Sequence, residues 1–135
     1  MLILIAEDNR VVRKALCGFL QAADATWDIC LAENGGQAVT LAKECKPDLV
    51  ILDQVMPEMS GLAAARVISH VRPGVPILLH TAFPTDELSR ESRRYGVTSV
   101  ICKSDGRNLL AAIRSVMEDP ATVHPVAYNG PSTRL

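Results

Sequence analysis

Short apolar runs rich in Val, Ile and Leu alternate along the chain with segments whose apolar residues return at helical spacing. Strands buried on both sides lose the polar alternation of a half-exposed sheet, so this rhythm predicts an α/β domain: a parallel sheet with helices on both faces. Five strand and helix pairs are expected. The strands are predicted at Leu2 to Ala6, Trp27 to Leu31, Leu49 to Asp53, Ile77 to Thr81 and Ser99 to Cys102. Helix one is expected from Arg10 to Ala22, capped by Asn9, with Val12, Leu16, Phe19 and Ala23 on its inner stripe. Helix two turns Ala38, Leu41, Ala42 and Cys45 inward and stops before Pro47. Helix three runs from Gly61 to the Arg72-Pro73-Gly74 turn, and helix five, about Arg107 to Met117, buries Leu109, Leu110, Ile113 and Val116.

Helix four breaks the pattern. Asp86 to Tyr95 is mostly Ser, Arg and Glu, with Leu88 and Tyr95 as its sizeable apolar anchors, so it is expected to be weakly held and cheap to move. Residues 119 to 135, with three prolines and Asn129-Gly130, show no periodicity and are expected to form a flexible C-terminal tail after a domain spanning 1 to 118, with no effector domain.

Composition narrows the functional classes. The 135 residues are 48% hydrophobic, enough for one domain with a substantial core. A formal charge of −1, without clustered Lys or Arg, gives no field to gather phosphate backbones, so direct nucleic-acid binding is not expected. The apolar start meets acids at Glu7 and Asp8, which makes it neither a leader nor a membrane span; a cytoplasmic location is expected. Cys17, Cys30, Cys45 and Cys102 form no C-x-x-C pair and are read as structural thiols; a disulfide or metal role would require two of them to converge in space.

In an open parallel sheet, ligands collect beyond the carboxyl ends of the strands. Strand one ends in Glu7-Asp8, strand three in Asp53, strand four in Thr81 and strand five in Lys103. Two carboxylates about 4 Å apart repel by roughly 4 kcal/mol at an effective dielectric near 20, and a hard divalent cation removes that penalty. Mg²⁺ suits the set, with Asp8 and Asp53 as direct ligands and Glu7 holding a coordinated water. Lys103 and Thr81 then supply a charge and a hydroxyl donor to a phosphoryl group carried by one of the acids, which needs no base because it is already ionised. The first strand-to-helix turn, Glu7-Asp8-Asn9-Arg10, lacks the glycines of a dinucleotide or P-loop site.

These motifs together resemble the receiver domains of two-component response regulators over about residues 1 to 118. The residues that carry the likeness are Leu4-Ile5-Ala6-Glu7-Asp8-Asn9, the stretch from Asp48 through Asp53 and Met56-Pro57 to Gly61, Pro76 to Ala82, and Gly96 to Lys103. The resemblance implies a flavodoxin-like sheet of order 2-1-3-4-5 and phosphorylation of Asp53 by a sensor histidine kinase or phosphotransfer protein. It also implies Mg²⁺ held by Asp8, Asp53 and the backbone carbonyl of Val55, and a Thr81 that swings toward the phosphoryl group. Output is expected through the face of helix four, strand five and helix five, toward a downstream protein or a second copy. Such a domain catalyses only its own phosphorylation and dephosphorylation. The chain departs from the family at Ser104, where most members carry proline, and at Val100, where an aromatic residue commonly rotates with the threonine.

Two rival readings bear on particular residues. A haloacid-dehalogenase-type phosphatase requires a second Asp two positions after the nucleophile, and Val55 stands there. The amino-terminal part of a DNA-binding transcriptional regulator would carry the same pocket. Val55 and Phe83 also flank the expected pocket mouth, and neither can orient an attacking water, so a long-lived aspartyl phosphate is expected.

Overall fold

The computed structural model describes residues 1–118; the expected tail at 119–135 lies outside them. The apolar runs become β1 (Leu2–Ala6), β2 (Asp28–Ala32), β3 (Leu49–Asp53), β4 (Ile77–Thr81) and β5 (Ser99–Cys102). All neighbours pair in parallel in the order β2-β1-β3-β4-β5, as the family resemblance implied. Between them lie α1 (Arg10–Ala23), α2 (Gly35–Cys45), α3 (Gly61–Val71), α4 (Asp86–Arg93) and α5 (Gly106–Glu118).

Strand alternation sorts the core into two layers. Leu4, Val50, Leu52, Leu79 and Val100 meet Ala38 and Ala42 of α2 and Ala64, Ala65 and Ile68 of α3. Ile3, Ile5, Leu49, Ile51, Leu78 and Ile101 meet Leu16 and Leu20 of α1 and Leu109, Ile113 and Val116 of α5. Both faces of β3 and β4 are covered, which is why Leu49 to Leu52 and Ile77 to Leu79 read as unbroken hydrophobic runs before the polar residues that close each strand. Asn9, Asn34, Ser60 and Thr85 each accept a backbone N–H in the first turn of the helix that follows.

Four details differ from the sequence reading. The ladder of β2 starts at Asp28, because the Trp27 N–H bonds back to the Asp24 carbonyl while Asp28 N donates to Met1 O at 2.8 Å. On α1 the fully buried residue is Leu20; Phe19 sits on the flank, 42% exposed, with its ring against Gly106. Leu110 is only partly buried. The helix of α4 ends at Arg93 and turns inward two serines, Ser89 and Ser92, beside half-buried Leu88. Ser92 Oγ donates to Leu88 O at 2.7 Å, whereas the buried Ser89 hydroxyl has no partner among the described residues.

Candidate functional site

The carboxyl edge of the sheet gathers the expected residues because each closes a strand or opens the loop after it. Glu7, in the turn after β1, is 2% exposed, and Asp53, the last residue of β3, is 5% exposed. Carboxylate oxygens of Glu7, Asp8 and Asp53 all lie within 4.8 Å of one another, with Asp8 at the exposed rim. Lys103 follows β5 and bridges the two buried acids: its Nζ stands 2.6 Å from Glu7 Oε1 and 3.2 Å from Asp53 Oδ2. Backbone N–H groups complete the carboxylates, Asn9 N to Glu7 Oε2 at 3.1 Å and Val55 N to Asp53 Oδ1 at 3.3 Å.

One ammonium between two acids divides its effect unequally. Burial pushes the Glu7 carboxyl up, but the short bond from Lys103, the Asn9 N–H and the lysine charge outweigh it, and Glu7 ends below the ordinary carboxylate range. Asp53 ends above its ordinary value: burial comes first, the charge of Glu7 adds to it, and Lys103 only partly opposes. Lys103 is raised, since the bonds and charges of the two acids exceed the cost of its burial. The two buried carboxylates thus outnumber the lysine between them by one, Asp8 adds a further acid at the rim, and Asp53 is the less well neutralised of the buried pair. Three hard oxygen donors with surplus negative charge suit a small divalent cation.

Thr81 closes β4 and is 3% exposed; its backbone carbonyl accepts the Lys103 N–H at 2.8 Å, and its hydroxyl is without a hydrogen bond among the described residues. Val55 and Phe83 are 72% and 83% exposed, so neither serves as a cover for the core. The chain after Asp53 turns back tightly, with Met59 N donating to Pro57 O at 2.7 Å around Glu58, whose φ is 67°. It re-enters the fold at Gly61, whose N–H donates to Gln54 O at 3.0 Å. A Cβ at Gly61 would fall onto the Asp53 carbonyl oxygen and 2.7 Å from Leu79 Cδ1, so this contact admits only glycine. All described peptide bonds are trans, including the one after Lys103.

Two residues of the site were missed by sequence reasoning. Arg13 lies on the inner face of α1, where its guanidinium donates to the Glu7 backbone carbonyl at 2.8 Å and reaches Glu33 at 3.4 Å. His80, opposite Asp53 in the ladder, is 6% exposed and lines a groove of about 280 Å³ with Val12, Phe19 and Lys103. Burial, then the Lys103 charge, lowers its pKa to about 4. Neither was singled out: Arg13 falls beside the predicted stripe of helix one and His80 inside the predicted fourth strand, so the only signal was a polar residue within an otherwise apolar element.

The family profile described as the response regulator receiver domain matches residues 3–114. The chain is 37% identical over 117 residues to the transcriptional regulatory protein YdfI of Bacillus subtilis (strain 168), covering 83% of this chain and 54% of that protein. It is 31% identical to LnrK of the same organism, covering 90% and 53%. The chain spans about half the length of these curated relatives. Among solved structures, the signal receiver domain of a DNA-binding response regulator from Colwellia psychrerythraea 34H superposes with a TM-score of 0.79 at 26% identity, over 87% of this chain and 98% of that one. The chemotaxis protein CheY4 of Vibrio cholerae superposes with a TM-score of 0.78 at 25% identity, over 85% and 97%.

Proposed function

The chain belongs to the response regulator receiver domain family, and from that membership we propose that Asp53 is its phosphoacceptor. Residues 1–118 are the receiver unit on this reading. The observation that carries it is the single ammonium shared between two buried carboxylates, which leaves Asp53 with unneutralised charge at the rim of the sheet.

The nucleophile is an Asp53 carboxylate oxygen, which attacks the phosphorus of a phosphohistidine on a sensor histidine kinase or phosphotransfer protein. The O–P bond forms as the N–P bond breaks; the imidazole leaves with the electron pair and takes up a proton. Lys103 balances the charge that accumulates on the phosphoryl oxygens, and the Thr81 hydroxyl, without a hydrogen bond among the described residues, can donate to one of them. Arg13 holds the Glu7 backbone, and with it the β1 end of the pocket, in place. Glu7, Asp8, Asp53 and the backbone carbonyl of Val55 would hold Mg²⁺, which supplies positive charge to the transferring group.

The chain turns over no separate substrate on this reading; it modifies and restores only itself. A haloacid-dehalogenase-type phosphatase lacks its acid at the exposed Val55. The output surface is α4, β5 and α5, offered to a downstream protein or a second copy. A cytoplasmic location belongs to the same proposal, and among the described residues no helix is long and apolar enough to cross a membrane. The test is incubation with Mg²⁺ and acetyl phosphate followed by intact mass. The parent gains one phosphoryl group and Asp53→Asn gains none; equal labelling of the two would overturn the assignment.

A further inference from the structure

Cys30 and Cys45 meet in space across fifteen positions of sequence. Cys30 lies in the middle of β2, the edge strand, paired with Leu4 of β1, and Cys45 is the last residue of α2. The Cys30 thiol donates to the Cys45 sulfur at 3.7 Å, and both residues are partly exposed and free. The other two cysteines have no thiol beside them: Cys17 contacts Gln21, and Cys102 contacts Ala82 and Ser104. Spatial convergence was the condition the sequence set for a thiol role, and this pair alone meets it among the described residues. No third metal-ligating side chain joins the two sulfurs, because the one such cluster among the described residues is the acidic pocket.

We propose that Cys30 and Cys45 are a redox modification site, closing to an intramolecular disulfide when the protein meets hydrogen peroxide and reopening with a thiol reductant. The sulfurs must close by about 1.7 Å to reach disulfide length. The local structure accommodates this, because Lys46 is already left-handed at φ 49° and Cys45 therefore sits at the released end of its helix.

The hydrogen bond sets the order of events. Cys45 is the acceptor, and the Cys30 thiol is pushed up to about 11 by burial, then by its bond to Cys45, so Cys30 keeps its proton and Cys45 is the sulfur that meets peroxide first. The Cys45 thiolate attacks one peroxide oxygen; the O–O bond breaks, the departing oxygen leaves as water after taking a proton, and Cys45 becomes a sulfenic acid. The Cys30 sulfur then attacks the Cys45 sulfur. The S–O bond breaks and hydroxide leaves, taking the Cys30 proton to form a second water. Two thiols are oxidised and one peroxide is reduced to two waters.

The bond would fasten the edge strand to the end of the helix packed against it. Closing a loop of this length restricts the unfolded chain, and the expected gain is a rise in Tm of about 10 °C. The test uses the full chain, treated with hydrogen peroxide at high dilution, then unfolded, alkylated and weighed. The expected result is that two of the four cysteines resist alkylation and the peptides carrying Cys30 and Cys45 are linked. Dithiothreitol restores all four, and the oxidised monomer shows the higher Tm. Cys30→Ser and Cys45→Ala should each abolish both the link and the Tm rise; either variant suffices should the other fail to fold. Complete alkylation after treatment, a bond through Cys17 or Cys102, or a link formed only between two chains would overturn the proposal.

Discussion

The ammonium of Lys103 donates to a carboxylate oxygen of Glu7 at 2.6 Å, tying the exit of the last strand to the exit of the first across ninety-six positions of chain. Remove it and two buried acids face each other without a cation. Lys103→Met is therefore expected to lose about 2 kcal/mol of stability in urea titrations without divalent ions, less than a fully buried pair because the lysine is partly exposed. Added Mg²⁺ should recover more stability in the variant than in the parent. Phosphorylation by acetyl phosphate, followed by intact mass, should slow at least tenfold. An unchanged rate would remove Lys103 from the chemistry.

His80 makes stability depend on pH in a definite direction. Its pKa is about 4 in the fold against an ordinary value of 6.5. Between those values the unfolded chain binds a proton that the folded chain refuses. Stability from this residue is thus complete above pH 6.5, declines as pH falls, and levels off below 4, a total loss on the order of 3 kcal/mol. Subtracting the urea midpoints of His80→Leu from those of the parent, between pH 4 and 7.5, should isolate this slope from that of the carboxylates. Parallel curves would show that the imidazole is not held neutral.

Val55 and Phe83 stand out into solvent beside the pocket and carry no group able to align water. Val55→Asn and Phe83→Gln are expected to shorten the lifetime of the phosphorylated protein about tenfold by supplying such a group. The check is the decay of the phosphorylated mass after the donor is removed. Decay no faster than the parent's in both variants would place control of hydrolysis elsewhere.

Gly61 lies so close to the Asp53 carbonyl that a single methyl group forces β3 and α3 apart. Gly61→Ala is expected to cost about 3 kcal/mol in urea unfolding. A loss below 0.5 kcal/mol would mean that the loop after Asp53 yields freely. Phosphorylation should fall as well, because the displaced backbone is that of the proposed acceptor, Asp53.

The elements were legible because period and punctuation agreed: continuous apolar runs for buried strands, helical spacing between them, and Asn9, Pro47 and Pro73 at or near the ends of the helices. The pocket was legible because strand ends converge in any sheet of this order, so the last residues of four strands could be read as neighbours before any distance was known. Side-chain pairing was not legible. The inner stripe of α1 was counted on apolar residues, which passed over Arg13 and preferred Phe19 to Leu20; the choice depends on Gly106 opening space for the ring from α5. Cys30 and Cys45 sit in different elements, and their approach follows from how the end of α2 docks on the edge strand. Trp27 looked like a strand residue by type, but its N–H was claimed by the turn before it.

The two serines under α4 set the scale of any signal that passes through it. With Ser89 and Ser92 as its buried contacts and Leu88 only half covered, the helix has little apolar ballast; lifting it exposes no more than about one large side chain's worth, some 2 kcal/mol. The stranded hydroxyl of Ser89 would gain water in the move, which lightens the load further. A hydrogen bond from Thr81 to a charged phosphoryl oxygen is worth about 1.5 to 3 kcal/mol, so one new bond at the pocket nearly matches the weight at rest on the helix. On the proposed reading, a single covalent mark at Asp53 would carry enough energy to rebalance a helix so lightly held.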